Sequence, residues 1–301
     1  MKDILTIVMR LTVACLLAGL VMGATFMVTD KAKKHNEHAH EQKVMLELLG
    51  YSAENPPPAT LAMHRLYRYV VSDAEGGLTM GYLLPTDAEA GFAFVAIDLD
   101  GHFLASHPLS LSRENAAEPA EQEKAIQAVL APGTSIRLAD QTIVVSNDGQ
   151  RVAYLLPGKF PGFKTFISVM LALESDFSIR GLEIMEHEED PGLGGEIVQA
   201  YFKNQFRGKS FETVKNLDVA KLPLPDEYLS VLDPARNSRL PADEAARIRE
   251  QYQDRDIYAL SGATISSRAV TTGVKGAVRK FAYRVAILDR VLAEEGIGVA
   301  F

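Results

Sequence analysis

The hydrophobic pattern of this 301-residue chain changes several times along its length. From Leu11 to Val28 it does not alternate: "LTVACLLAGLVMGATFMV" carries no charge, between Arg10 and "DKAKK". About 20 apolar residues cross a bilayer as a helix. With Ile4 to Met9 partly included and Arg10 reaching to the interface, the run reads as a membrane span. A helix-like polar run continues to Gly50, and "ENPPPAT" from Glu54 breaks it. Strand-like runs follow: "RLYRYVVSD", "LTMGYLLP", "GFAFVAIDLDG", "QTIVVSND", "RVAYLLP", "FKTFISVMLALE" and "IRGLEIMEH". They are rich in Val, Ile, Phe and Tyr and are punctuated by Gly, Asp and Pro. Helical spacing interrupts them at "AEQEKAIQAVL" and at "GGEIVQAYFKNQF", where Ile197, Tyr201, Phe202 and Phe206 form one stripe. "LPLPDEYLSVLDPARNSRLPADEAARIREQY" reads as a polar connector with a short helix from about Asp243. The last helix, about Ser267 to Leu292, puts Val270, Val274, Ala277, Val278, Phe281, Val285, Leu288 and Leu292 on one face. Ser266 or Ser267 is its expected N-cap.

The strand region echoes itself. Tyr-Leu-Leu-Pro occurs at Tyr82 and again at Tyr154, and each copy continues into Gly-Phe, an apolar strand, an acidic turn and Gly. A duplicated strand-turn-strand unit is expected, with chance similarity as the alternative. The copies diverge afterwards. The first runs into "HPLSLSRENAAEPA", without glycine, and the second into "EHEEDPGLGGEI".

Charge and cysteine content narrow the function. Net charge is −8 with no long basic run, which argues against nucleic acid as a partner. The single cysteine, Cys15, excludes an internal disulfide and a cysteine-ligated cluster held by this chain alone. It reads as a small apolar residue of the membrane helix. His35, His38 and His40 lack the cysteine or carboxylate pattern that would complete a metal site, so their stretch reads as a solvated helix. A cleavage site at Met22-Gly23-Ala24 competes with a retained anchor, and the length of the apolar run favours the anchor. Lys2 and Arg10 precede the span; Lys31, Lys33 and Lys34 follow it. A literal count puts the large domain in the cytoplasm by a small margin.

Two loops can carry chemistry. Ser261-Gly262-Ala263-Thr264 lies before the last helix, whose first N–H groups and dipole suit a phosphate. Gly262 and Ala263 let the backbone approach a bulky group, and Thr264 offers a hydroxyl. Pro191, Gly192, Gly194 and Gly195 form the other loop, where glycine lets amides lie close to a flat ligand. Each alone is equally an ordinary turn. His187, Glu188 and Glu189 read as an exposed polar turn, with a supporting role behind a bound cofactor as the alternative. No nucleophile–base–acid set, P-loop or GxGxxG is present.

Together, "EHEEDPGLGGEI", "YFKNQFRGKSF" and "SGATISSRAV" resemble the FMN-binding domain family. More specifically, they look like the G subunit of Rnf ion-translocating complexes and its counterpart, the C subunit of the sodium-translocating NADH:quinone oxidoreductase. The resemblance covers the anchor and residues from about 150 to 290. It implies an α+β fold, an N-terminal transmembrane helix followed by a mixed α/β FMN-binding domain, to which the echo adds a duplicated strand-turn-strand unit. It implies FMN joined to Thr264 by a phosphoester, with Ser261, Gly262, Ala263 and Ser266 around the phosphoryl group. Asp190, Pro191, Gly192, Leu193 and Gly194 would lie near the ring. It further implies an electron carrier rather than a catalyst on its own, with the other membrane subunits of an Rnf- or Nqr-type complex as partners and a flavin transferase for maturation. The location implied is the inner membrane, single-pass, with the large domain on the periplasmic side. The expected divisions are residues 1–34 (anchor and flank), 35–150 (juxtamembrane helix and degenerate FMN-binding-like unit) and 151–301 (FMN-binding domain). The sequence departs from the family pattern at Tyr258, where an acid is usual, at Asp190, where threonine is usual, and in the length of residues 51–150. The alternatives are a flavin-free tethered scaffold and a stand-alone surface flavoprotein reductase.

Overall fold

The computed structural model describes residues 2–87, 91–233 and 240–301. Residues 88–90 of the first repeat copy, 234–239 of the connector, and the side chains of Lys2, Asp3, Leu5, Val28, Lys31, Ala32, Lys34 and His35 lie outside the described residues. The chain divides into two units, residues 1–47 and 48–301.

The first unit is the helix α1 (Lys2–Leu48). Its segment Thr6–Met27 is long and apolar enough to cross a membrane. There the hydroxyls of Thr12 and Thr25 donate to the carbonyls of Val8 (2.9 Å) and Val21 (2.8 Å). Such bonds within the helix satisfy donors that lipid could not. Beyond the apolar segment, Lys33–Glu37 and Lys43–Glu47 pair one turn apart, at 3.6 and 3.7 Å. The polar run is a continuation of the same helix.

The second unit is built on one antiparallel sheet. Its strands are β1 (Leu61–Ser72), β2 (Leu78–Pro85), β3 (Phe92–Ile97) and β4 (Phe103–Leu109), then β5 (Ser135–Asn147), β6 (Gln150–Pro161), β7 (Phe166–Glu174) and β8 (Ile179–Glu186). Helix α2 (Pro119–Gln127) separates the two sets. The spatial order is β4-β3-β2-β1-β5-β6-β7-β8. Two four-stranded meanders therefore meet at the β1–β5 pair, which runs from Leu61↔Asn147 to Ser72↔Ser135. The sheet continues without a break past residue 150 through β5–β6.

The remaining elements are α3 (Ala200–Lys203), α4 (Phe211–Asn216), β9 (Val219–Ala220), α5 (Asp226–Leu232), α6 (Ala242–Gln253), β10 (Ile257–Tyr258) and α7 (Thr264–Glu294). β9 and β10 form a small parallel pair. Helix α7 lies along one face of both meanders. Val270, Val274, Val278, Phe281 and Val285 pack with Val144, Tyr154, Leu156 and Leu171 of the second. Leu288, Val291 and Leu292 pack with Leu66, Tyr82, Leu84 and Val95 of the first. The echoed tetrapeptide explains the match: alternation along a strand sends its Tyr and second Leu to the same face, and in both copies that face meets α7. The opposite face of the first meander holds Tyr69, Leu83 and Phe94 against Ile126 of α2. Each such fully buried side chain contributes roughly 1.5–3 kcal/mol.

Several elements differ from the sequence reading. β4, "FLASHPL", is a strand despite Pro108, because it sits at the sheet edge where one row of N–H groups goes unused. The helical stripe at Ile197 is broken: Gly194–Val198 is a 3-10 turn, and Gln199 is extended (φ −71°, ψ 146°) before α3 begins. The stripe residues Ile197, Phe202 and Phe206 are nonetheless all buried. Within its described residues the connector is structured as α5 and α6, whose Tyr228, Val231, Ile248 and Tyr252 form a small core. Finally, α7 starts at Thr264 with Ala263 in the N-cap position and no side-chain cap. Ser266 and Ser267 lie inside its first turn and bond elsewhere.

Candidate functional site

Three loops converge at the start of α7. One is the β6–β7 hairpin loop, residues 162–165, closed by Gly162 N–H donating to the Thr165 carbonyl at 2.7 Å. The second follows β8. Leu193 N–H donates to the Asp190 carbonyl at 3.2 Å, so Asp190–Leu193 is a β-turn with Pro191 second and Gly192 third, at φ +72°. The third, Leu260–Ala263, is closed by Ala263 N–H to the Leu260 carbonyl at 3.0 Å, with Gly262 third at φ +74°. A positive φ at the third position is what makes glycine the residue for such turns. The two turns face each other: a Cβ on Gly262 would lie 3.0 Å from Leu193 Cδ2.

One buried carboxylate joins the three. Glu189, 4% exposed, accepts through Oε1 from the N–H groups of Phe163 (2.8 Å) and Lys164 (3.1 Å). Its Oε2 accepts the hydroxyl proton of Ser266, in the first turn of α7. Gly162 and Gly194 leave the room it occupies. A Cβ on Gly162 would come within 2.5 Å of Glu189 Oε1, and one on Gly194 within 2.6 Å of Ser266 Oγ. An outer ion pair, Lys164 Nζ to Asp190 Oδ1 at 2.5 Å, spans the same two loops. That hydrogen bond and the charge of Asp190 raise the Lys164 pKa.

Of the ten residues singled out from the sequence, all but Gly194 fall on the two facing turns and the first turn of α7, and Gly194 follows directly as the first residue of the 3-10 turn. Ser261, Gly262, Pro191, Gly192 and Leu193 are exposed; Thr264 and Asp190 are half-buried; Ala263, Ser266 and Gly194 are buried. Ser266 is turned inward to Glu189. Thr264 opens the helix, where N–H groups have no intrahelical acceptor. Phe163 and Leu193 on these loops, Phe166 at the start of β7 and Ile265 at the start of α7 carry exposed apolar side chains.

Glu189 is the residue for which the preferred reading, an exposed turn, is corrected: it is buried. Its exposed neighbour Glu188 and half-buried His187 fit a polar turn; Glu189 does not. Nothing in an "EHEED" run marks which carboxylate turns inward. Ser267 has a second structural task, accepting from Leu260 N–H (3.0 Å) and donating to the Ala263 carbonyl (2.9 Å), which braces the turn before Thr264. Tyr258, where the resemblance leads one to expect an acid, packs its ring against Tyr228 and Tyr252.

Residues 162–279 match the model of the FMN-binding domain family. They contain the hairpin loop, both glycine turns and the start of α7. Among curated proteins, the chain is 27% identical over 129 residues to the G subunit of the proton-translocating ferredoxin:NAD(+) oxidoreductase complex of Clostridium ljungdahlii. That alignment covers 43% of this chain and 53% of the relative. It is also 27% identical over 145 residues to the C subunit of the Na(+)-translocating NADH-quinone reductase of Yersinia pestis, covering 45% of this chain and 54% of the relative. The chain thus spans about half the length of these relatives. The crystal structure of Shewanella oneidensis NqrC aligns with 62% of this chain and 78% of its own, at 20% identity and a TM-score of 0.36.

Proposed function

Taking the FMN-binding domain over residues 162–279 as the premise, we propose that this chain is a membrane-anchored electron carrier. It holds FMN covalently through Thr264, as one subunit of an Rnf-type ion-translocating complex. The observation that carries the reading is the meeting of the two glycine turns beside Thr264, with Glu189 beneath them. The residues present suit the group. Thr264 stands half-exposed at the positive end of a helix, where a phosphoryl charge is favoured. Gly192 has open space around it, and Gly262 and Leu193 lie opposite. Phe163, Leu193 and Ile265 offer apolar surface alongside.

FMN, when bound, supplies the redox chemistry. The chain's own part is to place and retain it. Thr264 Oγ1 would be the atom that carries the phosphoryl group of FMN, with the first N–H groups of α7 beside its charge. Gly192 and Gly262 keep side chains off the two facing turns, and Glu189 ties the three loops together.

The rest of the proposal concerns how the chain is placed. Thr6–Met27 would be the single-pass anchor in the inner membrane, with the large domain on the periplasmic side. Residues 151–301 would hold the cofactor. Residues 35–150 would carry a degenerate copy that contacts other membrane subunits, so each chain would hold one FMN.

Mass spectrometry of the peptide containing Thr264, from protein made with an active flavin transferase, tests the attachment. One added FMN moiety is expected, lost in Thr264→Ala and kept in Ser261→Ala. An unmodified wild-type peptide would leave the flavin-free scaffold as the better account, which Tyr258 in place of an acid would suit. Protease treatment of spheroplasts tests sidedness: digestion of the large domain is expected, and full protection would place it in the cytoplasm.

A further inference from the structure

The stretch "YFKNQFRGKSF" lies outside the three loops, yet it carries two of the most deeply buried polar side chains of the described residues. Gln205 is 2% exposed and Lys209 is 1% exposed. Both reach the segment that leads into the Ser261 turn. Gln205 Oε1 accepts from Tyr258 N–H at 2.7 Å, and its Nε2 donates to the Tyr258 carbonyl at 3.3 Å. The side chain thus grips both backbone groups of one residue, as a neighbouring strand would. Lys209 Nζ donates to the carbonyls of Gln253 (2.8 Å) and Arg255 (2.5 Å). Thr213 Oγ1 donates to Asp254 Oδ1 at 2.6 Å on the same segment.

The gripping residues are themselves fixed to the sheet. Gly208 N–H donates to the Ile179 carbonyl at 2.7 Å, and Ile179 N–H to the Lys209 carbonyl at 2.9 Å, at the start of β8. From Tyr258 the chain needs only two more residues to reach Leu260, where the turn before Thr264 begins. Burial lowers the Lys209 pKa to about 8. A neutral amine still has two N–H donors for its two carbonyls, so the grip does not depend on charge. An apolar side chain would fill the same space with less desolvation, but would fix no register.

We infer that Gln205 and Lys209 are positioning residues that set the register of residues 253–258 and so fix where the next turn presents Thr264. The functional half of this inference rests on the reading of Thr264 as the attachment point.

The test uses the full chain in detergent and the variants Gln205→Leu, Lys209→Met and Gln205→Glu. Three quantities are measured: hydrogen exchange of the peptide spanning 253–264, covalent flavin mass after incubation with an active flavin transferase and its donor, and the thermal transition. Gln205→Leu and Lys209→Met should raise exchange in that peptide tenfold or more. Flavin loading should slow at least tenfold, while a cooperative transition is kept. Gln205→Glu keeps an acceptor for Tyr258 N–H, and should restore part of that protection and of the loading. Unchanged exchange would overturn the grip. Faster exchange with wild-type loading would overturn its role in presenting Thr264. Loss of the cooperative transition in all three variants would make these plain scaffold residues and overturn the inference. Should the wild type never load flavin, the attachment reading fails by itself, and the exchange measurement still decides whether the grip exists.

Discussion

Glu189 has three hydrogen-bond donors around it and two glycines whose missing side chains make its space. Glu189→Ala leaves the N–H groups of Phe163 and Lys164 and the Ser266 hydroxyl without their acceptor. A loss of roughly 2–4 kcal/mol is expected, read from urea unfolding. Gly194→Ala should fail similarly, because its Cβ would press on Ser266 Oγ and Glu189 Oε2. A second polar knot ties β1, β5 and α7. Asp140 accepts from Arg68 Nε at 3.1 Å and from an Arg284 terminal nitrogen at 2.7 Å. Burial opposes the Asp140 charge, but the two guanidinium groups outweigh it and hold its pKa below the usual value. Its stabilisation is therefore complete above the unfolded carboxylate pKa of about 3.9 and disappears as pH falls through the lower, folded value. Acid titration of unfolding should show the gap between wild type and Asp140→Asn closing in that window. The two glycine turns were legible residue by residue, since their chemistry is local. The inward turn of Glu189 was not, because its partners lie 25, 26 and 77 positions away.

At the scale of elements, helix α7 and strand β6 approach each other through a glycine. The Phe160 ring occupies the space where Gly273 would carry a Cβ. Gly273→Ala gains helix propensity of about 1 kcal/mol at most. Displacing a packed ring costs about 1–3 kcal/mol, so net destabilisation is expected, and thermal unfolding of the variant checks the sign. The propensity arithmetic alone would give the opposite answer. The long strands and α7 were readable because their apolar periods are strong and uninterrupted. β4 was hidden by His107 and Pro108, and α4 and α5 by their shortness. The start of α7 differs from its expected place because a glycine turn, rather than a capping hydroxyl, sets it.

For the molecule as a whole, the repeated tetrapeptide pointed to a duplicated strand-turn-strand unit, but no periodic pattern could say that the two copies would lie in four-stranded meanders of one sheet. That follows from β1 pairing with β5, from Leu61↔Asn147 to Ser72↔Ser135, contacts between residues 86 to 63 positions apart. A chain beginning at residue 151 keeps the FMN-binding motifs and loses β5, the partner of β6. It should lack a cooperative thermal transition and show poorly dispersed amide resonances. A chain beginning at Leu48 keeps the whole second unit and should fold.

The span of α7 across both meanders has a consequence for the order in which the protein is made. Leu66, Tyr82, Leu84 and Val95 are translated early, but the side chains that cover them, Leu288, Val291 and Leu292, emerge roughly two hundred residues later. The closing contacts come later still, where Ala300 N–H donates to the Pro85 carbonyl at 3.1 Å and Val299 bridges to Thr86. At ribosomal rates of about 5–20 residues per second, that face stays bare for ten seconds or more. An apolar sheet face open for so long is a natural client for a chaperone. Stopping translation before Leu288 should trap the nascent chain in a form that binds one.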